Sequence, residues 1–181
     1  MLNDHYLRMM RDFAWHVPEH FNMAQACCGR WARKTGAAQR VAIIEHDPKR
    51  SRTYSYAQLQ HAADQVSQLL RNQGVQRGDR VALVLPQRFE TAVAYMALLQ
   101  IGAVAMPLSQ LFGPDALAYR LQDSGTVLAV VDASTVEAMR AGCALGFAGM
   151  IGALLDGVTA ELVRQGSPMP QVVVTGGAAV Y

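Results

Sequence analysis

The alternation of short apolar runs with helix-length segments predicts an α/β fold, with a mainly parallel sheet flanked by helices. The runs Arg80–Leu85, Ala103–Met106 and Thr126–Val131 are continuously apolar, which is typical of strands buried on both faces. The segments between them carry apolar residues at three- and four-residue spacing, as helices do. A fourth strand of the same sheet is expected near residues 41–45.

Before the first buried run, the sequence predicts a helix over about 21–35 and then a short N-terminal hairpin. Residues 41–44 and the segment TYSY flank the polar stretch HDPKRSR, and such an arrangement favours an antiparallel pair. Ser55 then opens a second helix. Gln58 follows it at the spacing of a capping box, in which the two side chains bond each other's backbone N–H groups.

The pattern of the sequence changes after Asp132, where the short alternating segments end. A long helix is predicted from Ser134, which forms a capping box with Glu137, to about Gln165. A strand near 171–175 then runs into a glycine turn. If this strand joins the same sheet, the long helix is the crossover of a right-handed βαβ unit. The predicted domains are therefore an N-terminal subdomain, residues 1–133, and a helix–strand segment, residues 134–181, packed on the same sheet.

Composition excludes several classes of protein. The 181 residues are 51% apolar, which suffices for a core, and the net charge is +2 without a basic block, so no nucleic-acid partner is expected. The uncharged stretch 141–155 is shorter than the ~20 residues that span a bilayer, so no membrane partner is expected either. Three cysteines, two of them adjacent, indicate a reducing, cytoplasmic location rather than a disulfide framework. No Cys or His spacing predicts a metal site.

Two stretches resemble a known family. They are TYSYAQLQHAADQVSQLLRNQGVQRGDRVALVLPQRFETAVAYMALLQIGAVAMPL and FGPDALAYRLQDSGTVLAVVDAS. Over about residues 21–132 the chain resembles the N-terminal part of the AMP-forming acyl-CoA synthetases, of the adenylate-forming superfamily. The segment WHVPEHFNMAQACCGRWA is similar to the medium-chain or aryl branch. The resemblance implies a parent reaction in which ATP adenylates a carboxylic acid and CoA then forms a thioester, with ATP, Mg²⁺ and CoA as cofactors.

That family also uses a Ser/Thr/Gly-rich phosphate loop ending in Pro-Lys-Gly, an acidic residue for Mg²⁺ and ribose, and a lysine from a mobile C-terminal domain. The printed sequence contains no such loop. We therefore expect an incomplete subdomain that is inactive alone, with no catalytic residues, no metal ligands and no cofactor of its own. Many members carry a basic residue that meets CoA phosphate just before the Gly-Ala turn. Gln100 stands at that place, and its neutral amide lacks the charge-assisted contact.

The C-terminal segment, about residues 134–179, resembles the C-terminal end of a type III pantothenate kinase. The stretches STVEAMRAGCALGFAGMIGALLDGVTAELVRQG and QVVVTGGAA carry this resemblance, so a chimera joined near Ala133 is one interpretation. It implies that Thr175, Gly176 and Gly177 lie near the adenosine side of ATP. The alternative is a plain turn that ends a strand.

Three hypotheses for function remain open at the level of sequence. The chain is an inactive synthetase subdomain, a non-catalytic α/β module that forms a homo-oligomer through exposed apolar surface, or a residual nucleotide-binding fragment. The turn before the first buried strand has its own two readings. Arg77, Asp79 and Arg80 form either an anion site or a salt-bridged, solvated turn, and Asp79 is expected to cap backbone N–H groups there.

Overall fold

The structure, a computed structural model, describes residues 5–16, 18–47, 50–132, 135, 149–153 and 172–177. In chain order these residues form α1 (His5–Asp12), a π-helical turn (Gln25–Gly29), α2 (Arg30–Ala32), β1 (Val41–Asp47), β2 (Arg50–Ser55), α3 (Tyr56–Asn72), β3 (Arg80–Val84), α4 (Phe89–Ile101), β4 (Val104–Pro107), α5 (Pro114–Asp123), β5 (Leu128–Asp132), β6 (Gly149–Ala153) and β7 (Val172–Gly177). The fold is α/β, as predicted.

The main sheet has the strand order β4-β3-β5-β7-β6. Strand β3 is parallel to β4 on one side and to β5 on the other, so the three predicted buried runs form the parallel part of the sheet. These runs are apolar at every position because both faces of the sheet are covered by helices. The prediction of a mainly parallel sheet with flanking helices is confirmed for this part of the chain.

The N-terminal hairpin is also confirmed, since β1 pairs with β2 in an antiparallel register from Val41↔Ser55 to Asp47↔Arg50. The expectation that residues 41–45 extend the main sheet is wrong. Strands β1 and β2 form their own two-stranded sheet. The hairpin packs on α3 and α4 instead, and the rings of Tyr54 and Phe89 stack with their centroids 3.9 Å apart.

Two expectations about the C-terminal segment are wrong. The predicted continuous helix is interrupted by strand β6, where Gly149 and Gly152 disfavour a helix interior. Strand β7 does join the main sheet, but it runs antiparallel to β5, with Thr175 opposite Ala129. A right-handed βαβ unit requires parallel strands, so none is formed there. The predicted capping box at 134–137 and the remainder of the predicted helix lie outside the described residues, and the division into 1–133 and 134–181 stays a prediction.

Helices cover both faces of the parallel strands. Because side chains alternate along a strand, Val81 and Leu83 face α3 and α4, whereas Ala82 and Val84 face α5. The fully buried Leu98 of α4 lies in the first of these two clusters. The two layers fix the strands, and with them the loops at both ends of the sheet.

The start of α3 matches its prediction. Ser55 Oγ accepts a hydrogen bond from the Gln58 backbone N–H at 3.3 Å, and Gln58 Oε1 accepts one from the Ser55 N–H at 2.8 Å. Both halves of the capping box are therefore present. The helix ends at Asn72, and Gly74 follows with a φ of +85°, a conformation that residues with a Cβ disfavour.

Candidate functional site

The carboxyl end of the parallel strands is the first candidate site. From β3 the chain crosses one face of the sheet through α4 to β4, and from β4 it returns across the other face through α5 to β5. The strand that follows β3 in the chain, β4, lies on one side of the β3–β5 pair, and the strand that follows β5, β6, lies on the other side. In open α/β sheets such a switch point leaves a crevice where ligands bind. In this chain the corresponding place lies between residues 85–88 and the end of β5.

Two hydroxyl groups hold the backbone at this switch point. Thr135 Oγ1 donates a hydrogen bond to the Val84 carbonyl at 3.2 Å, which ties the segment after β5 to the last residue of β3. Thr91 Oγ1 donates to the Pro86 carbonyl and so fixes the loop before α4. The amino end of α4 is held from the hairpin, because the Phe89 N–H donates to Glu45 Oε2 at 3.0 Å. The loop is therefore positioned by three neighbouring elements.

Glu90 introduces an acidic group at the same place, in the first turn of α4. Its Oε2 atom is buried and has no hydrogen-bond partner among the described residues. Burial raises the pKa of the Glu90 carboxyl, and the nearby charge of Glu45 raises it further, while its own backbone N–H, Arg88 and Arg52 act in the opposite direction. The carboxyl group is consequently easier to protonate in the folded chain than in the unfolded chain.

Glu90→Gln is expected to raise the free energy of unfolding at neutral pH, and the gain should shrink as the pH is lowered. A carboxyl whose pKa is raised on folding stabilises the fold below its ordinary pKa, and this contribution is lost as the pH rises through the folded value. The neutral amide avoids that loss. Urea denaturation at pH 7 and at pH 4.5 measures the difference, and Glu19→Gln, at an exposed position, controls for loss of one charge. A gain that is equal at both pH values would contradict the expectation.

A groove of about 1150 Å³ is the second candidate site, and it lies at the other end of α4. Gln100 and Gly102 line it together with Arg77, Tyr95 and Val104. Further lining residues come from the segment before the π-helical turn, including Phe21 and Met23, both more than half exposed. Apolar side chains thus share the wall of the groove with Arg77, Glu19, His20 and several amides.

Within this groove, the Gln100 amide is directed at α3 rather than at open space. Its Nε2 donates to Asp64 Oδ1 at 3.1 Å and to the Ala63 carbonyl at 3.2 Å, and it also contacts the Ser67 hydroxyl. Its Oε1 accepts a hydrogen bond from Gln60 at 3.1 Å. These contacts join α3 to α4, so the side chain has a structural role. Binding of CoA by Gln100 stays a prediction.

Asn22 is a residue that sequence reasoning missed. Its Nδ2 donates to the carbonyls of Leu99 at 3.2 Å and Gln100 at 3.3 Å, which satisfies acceptors at the end of α4. Its Oδ1 accepts from the Gln25 N–H at 3.1 Å. An asparagine next to an apolar helix pattern is the only signal in the sequence, and that signal does not identify the partner.

The turn at Arg77, Asp79 and Arg80 is held by hydrogen bonds to the backbone. Asp79 Oδ2 accepts from the Gln76 N–H at 2.8 Å, which confirms the expected cap. Arg80 donates to the carbonyls of Ser124 at 2.9 Å and Gly125 at 2.7 Å, so it joins two loops. No ion pair joins these three residues among the described parts of the chain, so the salt-bridged reading is wrong. Arg80 is occupied by carbonyls and Arg77 faces the groove.

Thr175, Gly176 and Gly177 lie inside β7 rather than in a turn after it. Gly176 is opposite Leu128 of β5 and Met150 of β6, so the backbone here is paired on both sides. Such pairing occupies the N–H groups that a phosphate-binding glycine turn would offer. Nucleotide binding by these residues stays a prediction.

Cysteine and metal chemistry find no support in the described part of the chain. Cys28 is fully buried, and burial raises the pKa of its thiol to about 11, with smaller contributions from Asp64 and Cys27. It is therefore a protonated core side chain at neutral pH. No group of three or more His, Cys, Asp or Glu side chains is placed to hold a metal ion within the described ranges.

The fold and the switch point define an α/β protein of the kind that presents ligands at the carboxyl edge of a parallel sheet. Residues 29–146 match the model of the family described as AMP-binding enzyme, and the chain belongs to this family. The match continues 13 residues beyond the predicted junction near Ala133.

Similar proteins agree with this assignment. The acetyl-coenzyme A synthetase of Yersinia pestis (strain Pestoides F) is 35% identical over 127 residues, which are 70% of this chain and 20% of that protein. The acetyl-coenzyme A synthetase of Serratia proteamaculans (strain 568) is 34% identical over 131 residues, 72% of this chain and 20% of that protein. The crystal structure of Brucella canis acyl-CoA synthetase superimposes with a TM-score of 0.67 and 26% identity, over 75% of this chain and 26% of that chain. The chain thus spans about a fifth of the length of these curated relatives.

Proposed function

We propose that this chain is the N-terminal subdomain of an AMP-forming acyl-CoA synthetase and that it does not adenylate an acid unaided. The observation that carries the proposal is the family match over residues 29–146, in a sequence that contains no Ser/Thr/Gly-rich phosphate loop. The relatives named acetyl-coenzyme A synthetase support a small carboxylic acid as substrate of the complete enzyme. The medium-chain or aryl branch stays a prediction.

In the parent reaction a carboxylate oxygen attacks the α-phosphorus of ATP and pyrophosphate leaves. The CoA thiolate then attacks the acyl carbon and displaces AMP. The contribution proposed for this subdomain is positional. Thr135 and Thr91 hold the loop after β3 at the carboxyl edge, where parallel sheets present ligands. The Ser/Thr/Gly-rich loop that would stabilise the charge developing on the phosphates during adenylation is not in the printed sequence.

Acid-dependent exchange between ATP and labelled pyrophosphate tests the proposal, because exchange requires the adenylation step alone. The purified chain should show no exchange above background with acetate, hexanoate or benzoate. A complete acetyl-coenzyme A synthetase assayed in parallel shows that the conditions support the reaction. Exchange that requires the acid and persists through a second purification would contradict the proposal.

Homo-oligomerisation and a cytoplasmic location also stay predictions. The observation that favours self-association is the exposure of large apolar side chains near the N-terminus. Phe13 is 61% exposed and Trp15 is 82% exposed, and no residue of α1 is buried. No helix in the described ranges has the length and apolar character needed to cross a membrane.

A further inference from the structure

A group of cations surrounds one aromatic ring where α2 leads into the loop before β1. Arg30 lies 4.8 Å from the centroid of the Trp31 ring, Lys34 lies 4.3 Å from it and Arg40 lies 5.4 Å from it. All three cations are exposed. We call Arg30, Lys34, Arg40 and the ring that they share the Trp31 cluster. Attraction between a cation and an aromatic face explains why each charge is near the ring, but it does not cancel the repulsion between the charges.

No carboxylate of the described residues forms an ion pair with the Trp31 cluster. Residues 21–44 contain no Asp or Glu, and the one ion pair in the described part of the chain is Arg11–Asp12, elsewhere in the sequence. The adjacent Arg33 adds a further cation, whose Nη1 donates to the neutral amide of Gln25 at 2.7 Å. The positive charge of this surface is therefore left to solvent ions or to a ligand.

A helix terminus adds to the same potential. Tyr56 begins α3, a helix of 17 residues, and its ring centroid lies 6.1 Å from that of Trp31. The amino end of a helix carries a partial positive charge, so α3 reinforces the potential of the three cations. The capping box already satisfies backbone N–H groups at this end, so the effect is one of potential rather than of open donors.

The spacing of the charges indicates the size of the anion. Because each cation lies within 5.4 Å of one centroid, no two of them are more than about 11 Å apart, close to the Debye length of ~8–10 Å. A chain of two or three phosphates carries several negative charges in one compact ligand. Arginine donors match phosphate oxygens in a forked geometry. A nucleic acid or a membrane would require charges spread along a face, whereas these converge on one ring.

We propose that the Trp31 cluster is a binding site for a small polyphosphate, either inorganic pyrophosphate or the phosphate tail of a nucleotide. Arg30 and Arg40 contact phosphate oxygens through their guanidinium groups, and Lys34 contributes a third charge. Trp31 holds the three side chains together before the ligand arrives, which lowers the entropy lost on binding. This site does not depend on the adenylation role proposed above.

Titration of the full chain with pyrophosphate, tripolyphosphate and ATP, each without metal in low salt, tests the proposal by calorimetry. Pyrophosphate should bind with a dissociation constant below about 1 mM, and the affinity should fall as salt is added. The triple variant Arg30→Gln, Lys34→Gln, Arg40→Gln should lose at least about tenfold in affinity. The control variant Arg8→Gln, Arg50→Gln, Arg71→Gln removes three exposed cations from other surfaces and should bind as the parent chain does.

The three titrations distinguish a site for inorganic polyphosphate from a site for a nucleotide. Binding of both pyrophosphate and ATP supports a site that recognises the polyphosphate alone. Binding of ATP without pyrophosphate or tripolyphosphate overturns the proposal, since the base is then recognised. Equal losses in the two triple variants overturn it as well, because net charge alone would explain them. Affinity for vesicles of anionic lipid without affinity for pyrophosphate would replace the site with a membrane contact.

Discussion

Leu98→Ala is expected to lower the free energy of unfolding by about 3 kcal/mol. Leu98 is 0% exposed and lies with Val81 and Leu83 of the central strand in the core between the sheet and α4. Removing three carbon atoms from such a site loses their transfer free energy and leaves a cavity that the neighbours fill only in part. Urea denaturation followed by circular dichroism at 222 nm measures the change.

Leu111→Ala removes the same atoms from a side chain that is 94% exposed, so it is the matched control and should change stability by less than ~0.5 kcal/mol. A comparable loss in both variants would mean that α4 does not pack on the sheet as the structure has it. The comparison also tests whether the described part of the chain unfolds cooperatively. If it does, the core defect of Leu98→Ala lowers the midpoint of the whole urea transition, whereas Leu111→Ala leaves this midpoint unchanged.

The elements that the sequence predicts well are those whose cause is local. The apolar run that becomes β3 is buried on both faces, and no amphipathic alternative competes with it. The capping box of Ser55 and Gln58 requires nothing outside its own turn, and the Asp79 cap is equally local. These features depend on spacing along the chain, and spacing can be read without knowledge of the tertiary structure.

The pairing of strands is harder to predict from the sequence, because it depends on residues that are distant along the chain. The pattern of β1 predicts a strand, but nothing in it distinguishes the main sheet from a separate hairpin on α3 and α4. The direction of β7 likewise depends on the path that leads into it. Strand β6 lies in a glycine-containing apolar stretch whose periodicity also suits a helix. Pairing with β7 makes this short segment a strand.

The candidate sites show the same division. The place of Gln100 before the Gly-Ala turn is visible in the sequence, but its attachment to Ala63 and Asp64 is not, since these contacts span 36 residues or more. The sequence did not predict the Trp31 cluster for a related reason. Arg40 is separated from Lys34 by five neutral residues, and only folding brings it back to the ring of Trp31.

Gly102→Val is expected to lower the free energy of unfolding by about 3 kcal/mol, for two separable reasons. Gly102 ends α4 with a φ of +77°, a conformation that is strained for a β-branched residue. A Cβ at this position would also lie 3.0 Å from Arg77 Cγ, a contact tight enough that the Arg77 side chain must move by a few tenths of an ångström. The Gly102 carbonyl accepts a hydrogen bond from the Gly78 N–H at 2.9 Å, so the backbone cannot relax without breaking the turn before β3.

Gly74→Val isolates the first of these reasons. Gly74 follows α3 with a φ of +85°, and a Cβ there would meet no atom within 4 Å. We therefore expect Gly74→Val to lower the free energy of unfolding by roughly 1–2 kcal/mol, from backbone strain alone. The excess for Gly102→Val should disappear in an Arg77→Ala background, since the double-mutant cycle isolates the contact between the two residues. If Gly102→Val is no more destabilising than Gly74→Val while Arg77 is present, the close approach of Arg77 contributes nothing. The glycine before Ala103 would then be required for its conformation alone, and the groove beside it could accept a larger residue.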